Sequence, residues 1–230
     1  IHVLKDVDLK LRKGEILALV GESGCGKTTT GKVVTGLLQP TSGQVFLEGE
    51  PLYSKWLRRR KNDTSVQFVQ QDSYAALNPV KTIRQSLTEA IRCADKSIKG
   101  AALYEKLDEL MECIDLVPAQ QYLDKYPHNL SGGQRQRILM ARAIAFNPKI
   151  IVADEPVSMI DVSLRLAILN LMMRMNEERG ITFVDDYAFA NCKGLESVSI
   201  PANIKSIGIY SFEDCVNLRS ITIPGTVIDI

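Results

Sequence analysis

Residues 21–28 read GESGCGKT, which sets three glycines among a lysine and a hydroxyl. Gly21, Gly24 and Gly26 let a backbone curl until its N–H groups point inward at phosphate oxygens. Lys27 then reaches the β and γ phosphates of a nucleotide, and the Thr28 hydroxyl is a ligand suited to Mg²⁺. Further along, Asp154 and Glu155 are adjacent in VADEP. Side chains at adjacent strand positions point to opposite sides, so the two carboxylates have different jobs. Asp154 would hold Mg²⁺ through its water shell, while Glu155 would face the γ-phosphate and polarise an attacking water. A third group, Ser131-Gly132-Gly133-Gln134, opens a helical pattern with a good N-cap and two glycines. Its first N–H groups make a second anion site.

The elements that must carry these residues are legible around them. Ile16 to Val20 is a short continuous apolar run, the pattern of a strand buried on both faces of a parallel sheet. It leads through the glycine-rich loop into a helical pattern ending near Leu38, with Gly36 and Pro40 as stop signals. Strand, loop and helix follow in the order a phosphate cradle requires. Ile150 to Ala153 is a second such strand, and it places Asp154 and Glu155 where open α/β sheets bind ligands. After Ser131, Ile138, Leu139, Ala141 and Ile144 recur at helical spacing.

Taken together, GESGCGKT, LSGGQ and VADEP resemble the nucleotide-binding subunit of an ABC transporter, over residues 1–184. QDSYAALNP and YPHNLSGGQRQR resemble the dipeptide and oligopeptide importer branch. The resemblance implies an α/β P-loop NTPase with a helical subdomain at about 80–146. It also implies ATP and Mg²⁺ as cofactors. The loop contributes Gly21, Glu22, Ser23, Gly24, Cys25, Gly26, Lys27, Thr28 and Thr29 to the nucleotide. Gln71, rather than Gln70, fits the Q-loop residue that touches Mg²⁺ and positions water, so Mg²⁺ would see Thr28, Gln71 and Asp154. Ser131, Gly132, Gly133 and Gln134 would close over ATP held by a second subunit, with Asp161 of SMID in the dimer seam. Thr82 to Leu116 resembles the helices that dock on a transmembrane permease. The implied place is the cytoplasmic, inner face of the cell membrane. His128 is read as structural, and Cys93 and Cys113 as small apolar fillers.

Three features depart from that pattern. The aromatic residue that stacks on adenine upstream of the first strand is missing, since the first aromatic is Phe46. The histidine-aspartate switch after GITF is also missing: the chain runs into Asp185-Asp186-Tyr187, and His2 and His128 are its only histidines. The closing strands and helices of the ATPase are expected to be absent as well.

In their place, residues 185–230 repeat. Phe189 and Phe212, Cys192 and Cys215, Leu195 and Leu218, Ile200 and Ile223, and Pro201 and Pro224 are each 23 positions apart. A fixed period of this size marks a solenoid. The form resembles BspA-like leucine-rich repeats, a β-rich fragment of two coils whose repeated residues account for stacking and carry no chemistry. The change of character within ITFVDDYAFANCKGL therefore reads as a junction. A recombined or misassembled reading frame explains it more simply than a selected fusion.

Bulk properties narrow the classes. A net charge of +1 gives no reason to expect nucleic acid, and Arg58 to Lys61 reads as a solvated turn. No apolar run approaches the ~20 residues that span a bilayer. There is no charged leader with an apolar core, so no signal peptide is expected. Five cysteines without a CxxC pair fit reduced thiols. Three functions remain open: an ATP-hydrolysing importer subunit, a module that holds MgATP without hydrolysing it, and a repeat-mediated interaction protein.

Overall fold

A computed structural model of the chain describes residues 3–14, 16–18, 26–52, 64–156, 162–185, 197–199, 216, 218–223 and 225. Gly21–Cys25, the basic run at 58–61, Asp161, Cys192 and Cys215 lie outside the described residues.

The centre is a parallel sheet of β1 (Ile16–Ala18), β6 (Thr182–Asp185), β5 (Ile150–Ala153) and β4 (Val66–Val69), in that spatial order. Ile151, Val152 and Ala153 of β5 are buried, as expected of a parallel strand covered on both faces. The register sets Ile151 opposite Gln67 and Phe183, which fixes the heights at which these strands end. Helix α1 (Lys27–Val34) lies against this sheet. Gly31 is the point of closest approach, because a Cβ there would stand 3.0 Å from Val152 Cγ1 and 3.2 Å from Phe68 Cε2. A separate hairpin joins β2 (Phe46–Leu47) to β3 (Glu50–Pro51) through Glu48 and Gly49. Both turn residues have positive φ, 52° and 81°, which matches the right-handed twist of a two-residue hairpin.

Residues 73–145 build a second, helical layer from α2 (Ser73–Ala76), α3 (Ile83–Ala94), α4 (Ala101–Cys113), α5 (Gln120–Leu123) and α6 (Gly132–Ala145). Thr82 and Gln85 form a reciprocal capping box at the start of α3. Ile83, Leu87, Leu107, Met111 and Ile138 are at most 1% exposed, so three helices close around one core. That core extends to α7 (Val162–Arg179) through Ile168, Met172 and Met175.

Strand β6 is anchored by side-chain hydrogen bonds. Asn176 Nδ2 donates to the carbonyls of Gly14 (2.9 Å) and Ile181 (2.8 Å), and the Gly14 amide donates to Thr182 Oγ1 at 2.9 Å. These bonds tie the approach to β1 onto the approach to β6. Strand β6 is therefore interior, with β1 and β4 at the edges of the described sheet.

Beyond it, β7 (Ser197–Ser199) pairs in parallel with β8 (Ser220–Thr222), Ser197 opposite Ser220 and Val198 opposite Ile221. The offset equals the 23-residue period in the sequence.

Candidate nucleotide site

Two strand ends and one helix mouth converge. Strand β1 and helix α1 flank the glycine-rich loop, and β5 ends at Asp154 and Glu155. The Thr28 hydroxyl, on the first turn of α1, donates to Asp154 Oδ1 at 2.9 Å across 126 positions of sequence. A hydroxyl and a carboxylate oxygen meeting in this way form a hard-oxygen pair suited to Mg²⁺. That ion takes one or two carboxylates and completes its shell with water and phosphate. No group of three or more acidic, histidine or cysteine side chains forms a metal cage among the described residues.

Gln71 follows β4 and is half-buried, and its Nε2 donates to Glu155 Oε2. The neighbouring Gln70 is exposed. The Asp154 amide donates to the Val69 carbonyl at 2.9 Å, extending the β4–β5 ladder up to the carboxylates. Glu155 leaves the strand at φ 46°, a left-handed conformation uncommon for a residue with a side chain.

Gly26 has φ 109°, and a Cβ there would stand 2.9 Å from Leu4 Cδ2 and 3.2 Å from Val3 Cγ1. The torsion favours glycine at the end of the loop, and the side-chain tips of Leu4 and Val3 would have to give way to a Cβ. Lys27 and Thr29 are half-buried beside it, and Thr28 is exposed.

The LSGGQ residues form a unit of their own. Ser131 Oγ accepts from the Gln134 amide at 3.3 Å, and Gln134 Oε1 accepts from the Ser131 amide at 3.0 Å. This capping box occupies part of the helix mouth that sequence reasoning left open, while the amides of Gly132 and Gly133 precede any intrahelical acceptor. Ser131 and Gln134 bond to each other and to their own helix, and neither reaches Thr28, Asp154 or Glu155.

His128 is exposed and stacks on Tyr126, with ring centroids 5.6 Å apart and planes within 7°. Cys93 is exposed and fills no core, because it falls on the outward face of α3. Cys113 is half-buried, its Sγ 3.2 Å from Met175 Sδ, and burial pushes its thiol pKa up. Sequence reasoning missed α2 and its anchors. Asp72 Oδ1 caps it by accepting from the amides of Tyr74 (2.8 Å) and Ala75 (3.1 Å). The Asp-Ser-Tyr order carried that signal.

The sheet, its flanking helix and the paired oxygens define a P-loop nucleotide hydrolase fold. The chain belongs to the ABC transporter family, whose model matches residues 4–158. A second model, the BspA type leucine rich repeat region, matches residues 173–230. Its start overlaps the end of α7 and strand β6, which pairs with β1 and β5.

Among curated relatives, the chain is 44% identical over 179 residues to the oligopeptide transport ATP-binding protein OppF of Lactococcus lactis, covering 77% of this chain and 55% of that one. It is 41% identical over 189 residues to the dipeptide transport ATP-binding protein DppF of Haemophilus influenzae, covering 80% and 56%. The chain thus spans just over half the length of these relatives. Among solved structures, cbiO1 of Clostridium perfringens, part of an ABC transporter complex, superposes with a TM-score of 0.70 at 26% identity, covering 80% and 71%. The ATP-binding cassette MJ0796, in a dimeric post-hydrolysis state bound to ADP and Pi, gives 0.67 at 31% identity, covering 81% and 80%.

Proposed function

We propose that residues 1–184 bind and hydrolyse ATP as the nucleotide-binding subunit of a peptide-type importer. They would be paired with a second ATPase subunit and docked on transmembrane permease subunits at the cytoplasmic face. The pairing of Thr28 with Asp154, beside that of Gln71 with Glu155, carries this reading. Lys27 neutralises phosphate charge, and Thr28 with Asp154, joined by Gln71, holds Mg²⁺. When bound, that ion supplies charge neutralisation at the phosphates. Glu155 accepts the proton of the attacking water and Gln71 orients it. Ser131 to Gln134 act on the partner's nucleotide, with Asp161 in the seam. Among the described residues no helix is long and apolar enough to cross a membrane.

The second reading, nucleotide binding without turnover, is favoured by one feature of the sequence. Asp185-Asp186 follow GITF where the family has its switch histidine, and no histidine lies beyond His128. Residues 185–230 are then two repeats joined to the ATPase in a chimaeric frame. Sequencing source DNA across the codons for residues 180–190 tests that origin. The third reading, an interaction protein, requires further repeats in the parent gene.

The deciding experiment is the melting temperature with and without MgATP, because a ligand of the folded state must raise it. A rise that disappears in Lys27→Ala supports the site, and phosphate release then separates the first reading from the second. A transition indifferent to MgATP overturns both.

A further inference from the structure

Among the described residues β8 (Ser220–Thr222) pairs with β7 alone. Its other edge carries backbone N–H and C=O groups with no strand opposite, which is a template for pairing with another chain. All three β8 residues are exposed, and the apolar positions beside the edge are open as well. Ile221 is 37% exposed, Ile223 39% and Val216 69%. In a repeat array such residues are covered by the next coil, and an end coil carries a polar outer face instead. Lysine, proline or a bulge is the usual device that blunts an open edge, and Ser220-Ile221-Thr222 contains neither of those two residues.

The strand is also chemically symmetric, with a hydroxyl residue on each side of a central isoleucine. Two copies laid antiparallel about Ile221 set that residue opposite the partner's Ile221, and Ser220 opposite the partner's Thr222. Arg219 then faces the partner's Ile223, which its methylene stem covers while the guanidinium stays in water. No like charges meet in this register. We propose that the outer edge of β8 is a self-association site, occupied by β8 of a second copy of this chain in an antiparallel, two-fold pairing. A two-fold contact closes on itself, whereas stacking β8 on the β7 edge of the next copy would propagate without end. The palindromic order of the strand fits the closed form. Three residues a side make a small contact, so the dimer dissociates in the micromolar range. No nucleotide-site residue takes part, and the pairing needs no MgATP, which separates it from the ATPase pairing proposed above.

Sedimentation equilibrium of the full chain without nucleotide tests this. Wild type is expected to pass from the mass of one chain to that of two between about 1 and 300 μM, and to stop there. Ser220→Lys combined with Thr222→Lys sets lysine opposite lysine twice in the two-fold register, and should weaken association by about tenfold or more. Ser220→Lys combined with Thr222→Glu sets lysine opposite glutamate in the same register and should restore the dimer. The two variants differ at one exposed position, so they share any effect on the fold, and equal melting temperatures verify that. A wild type that remains a single chain at about 300 μM overturns the proposal. Equal association of the two variants overturns it as well, because in the parallel stacking of β8 on β7 these charges do not face each other. A mass that grows past two chains replaces the closed pairing with the propagating one.

Discussion

Gln71 and Glu155, 84 positions apart, hold each other by an amide-to-carboxylate hydrogen bond at the ends of neighbouring strands. Both residues proposed to handle the attacking water are thus engaged with one another. Replacing Glu155 by Gln keeps an acceptor oxygen for Gln71 and removes the base. Phosphate release should fall by about 100-fold or more, while the MgATP-induced rise in melting temperature remains. Turnover equal to wild type would remove Glu155 from the role.

The Thr28–Asp154 contact makes a different claim. Thr28→Ala deletes one hard-oxygen ligand without touching the phosphate-facing lysine. Titration calorimetry should show MgATP affinity weakened about tenfold or more, with metal-free ATP affinity unchanged. Equal losses with and without Mg²⁺ would mean that Thr28 serves the loop's structure instead.

Gly31 tests the packing that seats α1 on the sheet. Alanine in mid-helix normally gains about 1 kcal/mol over glycine. Here its Cβ would stand 3.0 Å from Val152 Cγ1 and 3.2 Å from Phe68 Cε2, and overpacking of this kind costs about 1–3 kcal/mol. Gly31→Ala should therefore lower stability in denaturant titration. A gain would show that α1 can lift from the sheet without cost.

Asn176 closes two buried or half-buried carbonyls with one amide group. Asn176→Ala leaves both without that donor and should cost about 2–3 kcal/mol. The loss should appear as a lower denaturation midpoint with an unchanged slope. No loss would mean that the β1–β6 edge is held by strand pairing alone.

The Arg84–Asp124 pair predicts a small pH effect. Its hydrogen bond from Arg84 holds the Asp124 carboxyl below the usual carboxylate range. A depressed folded-state pKa contributes stability above the unfolded value of about 4, and that contribution is lost as pH falls through the folded value. The pair is exposed, so it contributes about 0.5 kcal/mol or less. Asp124→Asn should lower the melting temperature slightly at neutral pH and match wild type in strong acid. A difference that persists there points to packing rather than charge.

Much of the site could be read directly from the chain. The order of apolar run, glycine-rich loop and helix is a local pattern, and so are the carboxylates at the end of a second apolar run. Each depends on contacts within a few residues. The 23-residue repeat was equally open to reading, and β7 and β8 pair with that offset. Cys93 shows where local reading fails: helical spacing gives a face, but whether that face meets a core depends on what packs against it.

By itself, then, the sequence determined the motifs, their supporting elements and the presence of two unlike patterns in one chain. These follow from backbone torsion, side-chain type and short periodicity. Only the tertiary structure decided that Thr28 meets Asp154 and Gln71 meets Glu155. It alone placed β6 inside the sheet and seated Tyr74 under Arg135. Those contacts join residues 61 to 126 positions apart. Strand order, register and helix packing set them, because long-range closure is fixed by how whole faces fit and not by any stretch of neighbouring residues.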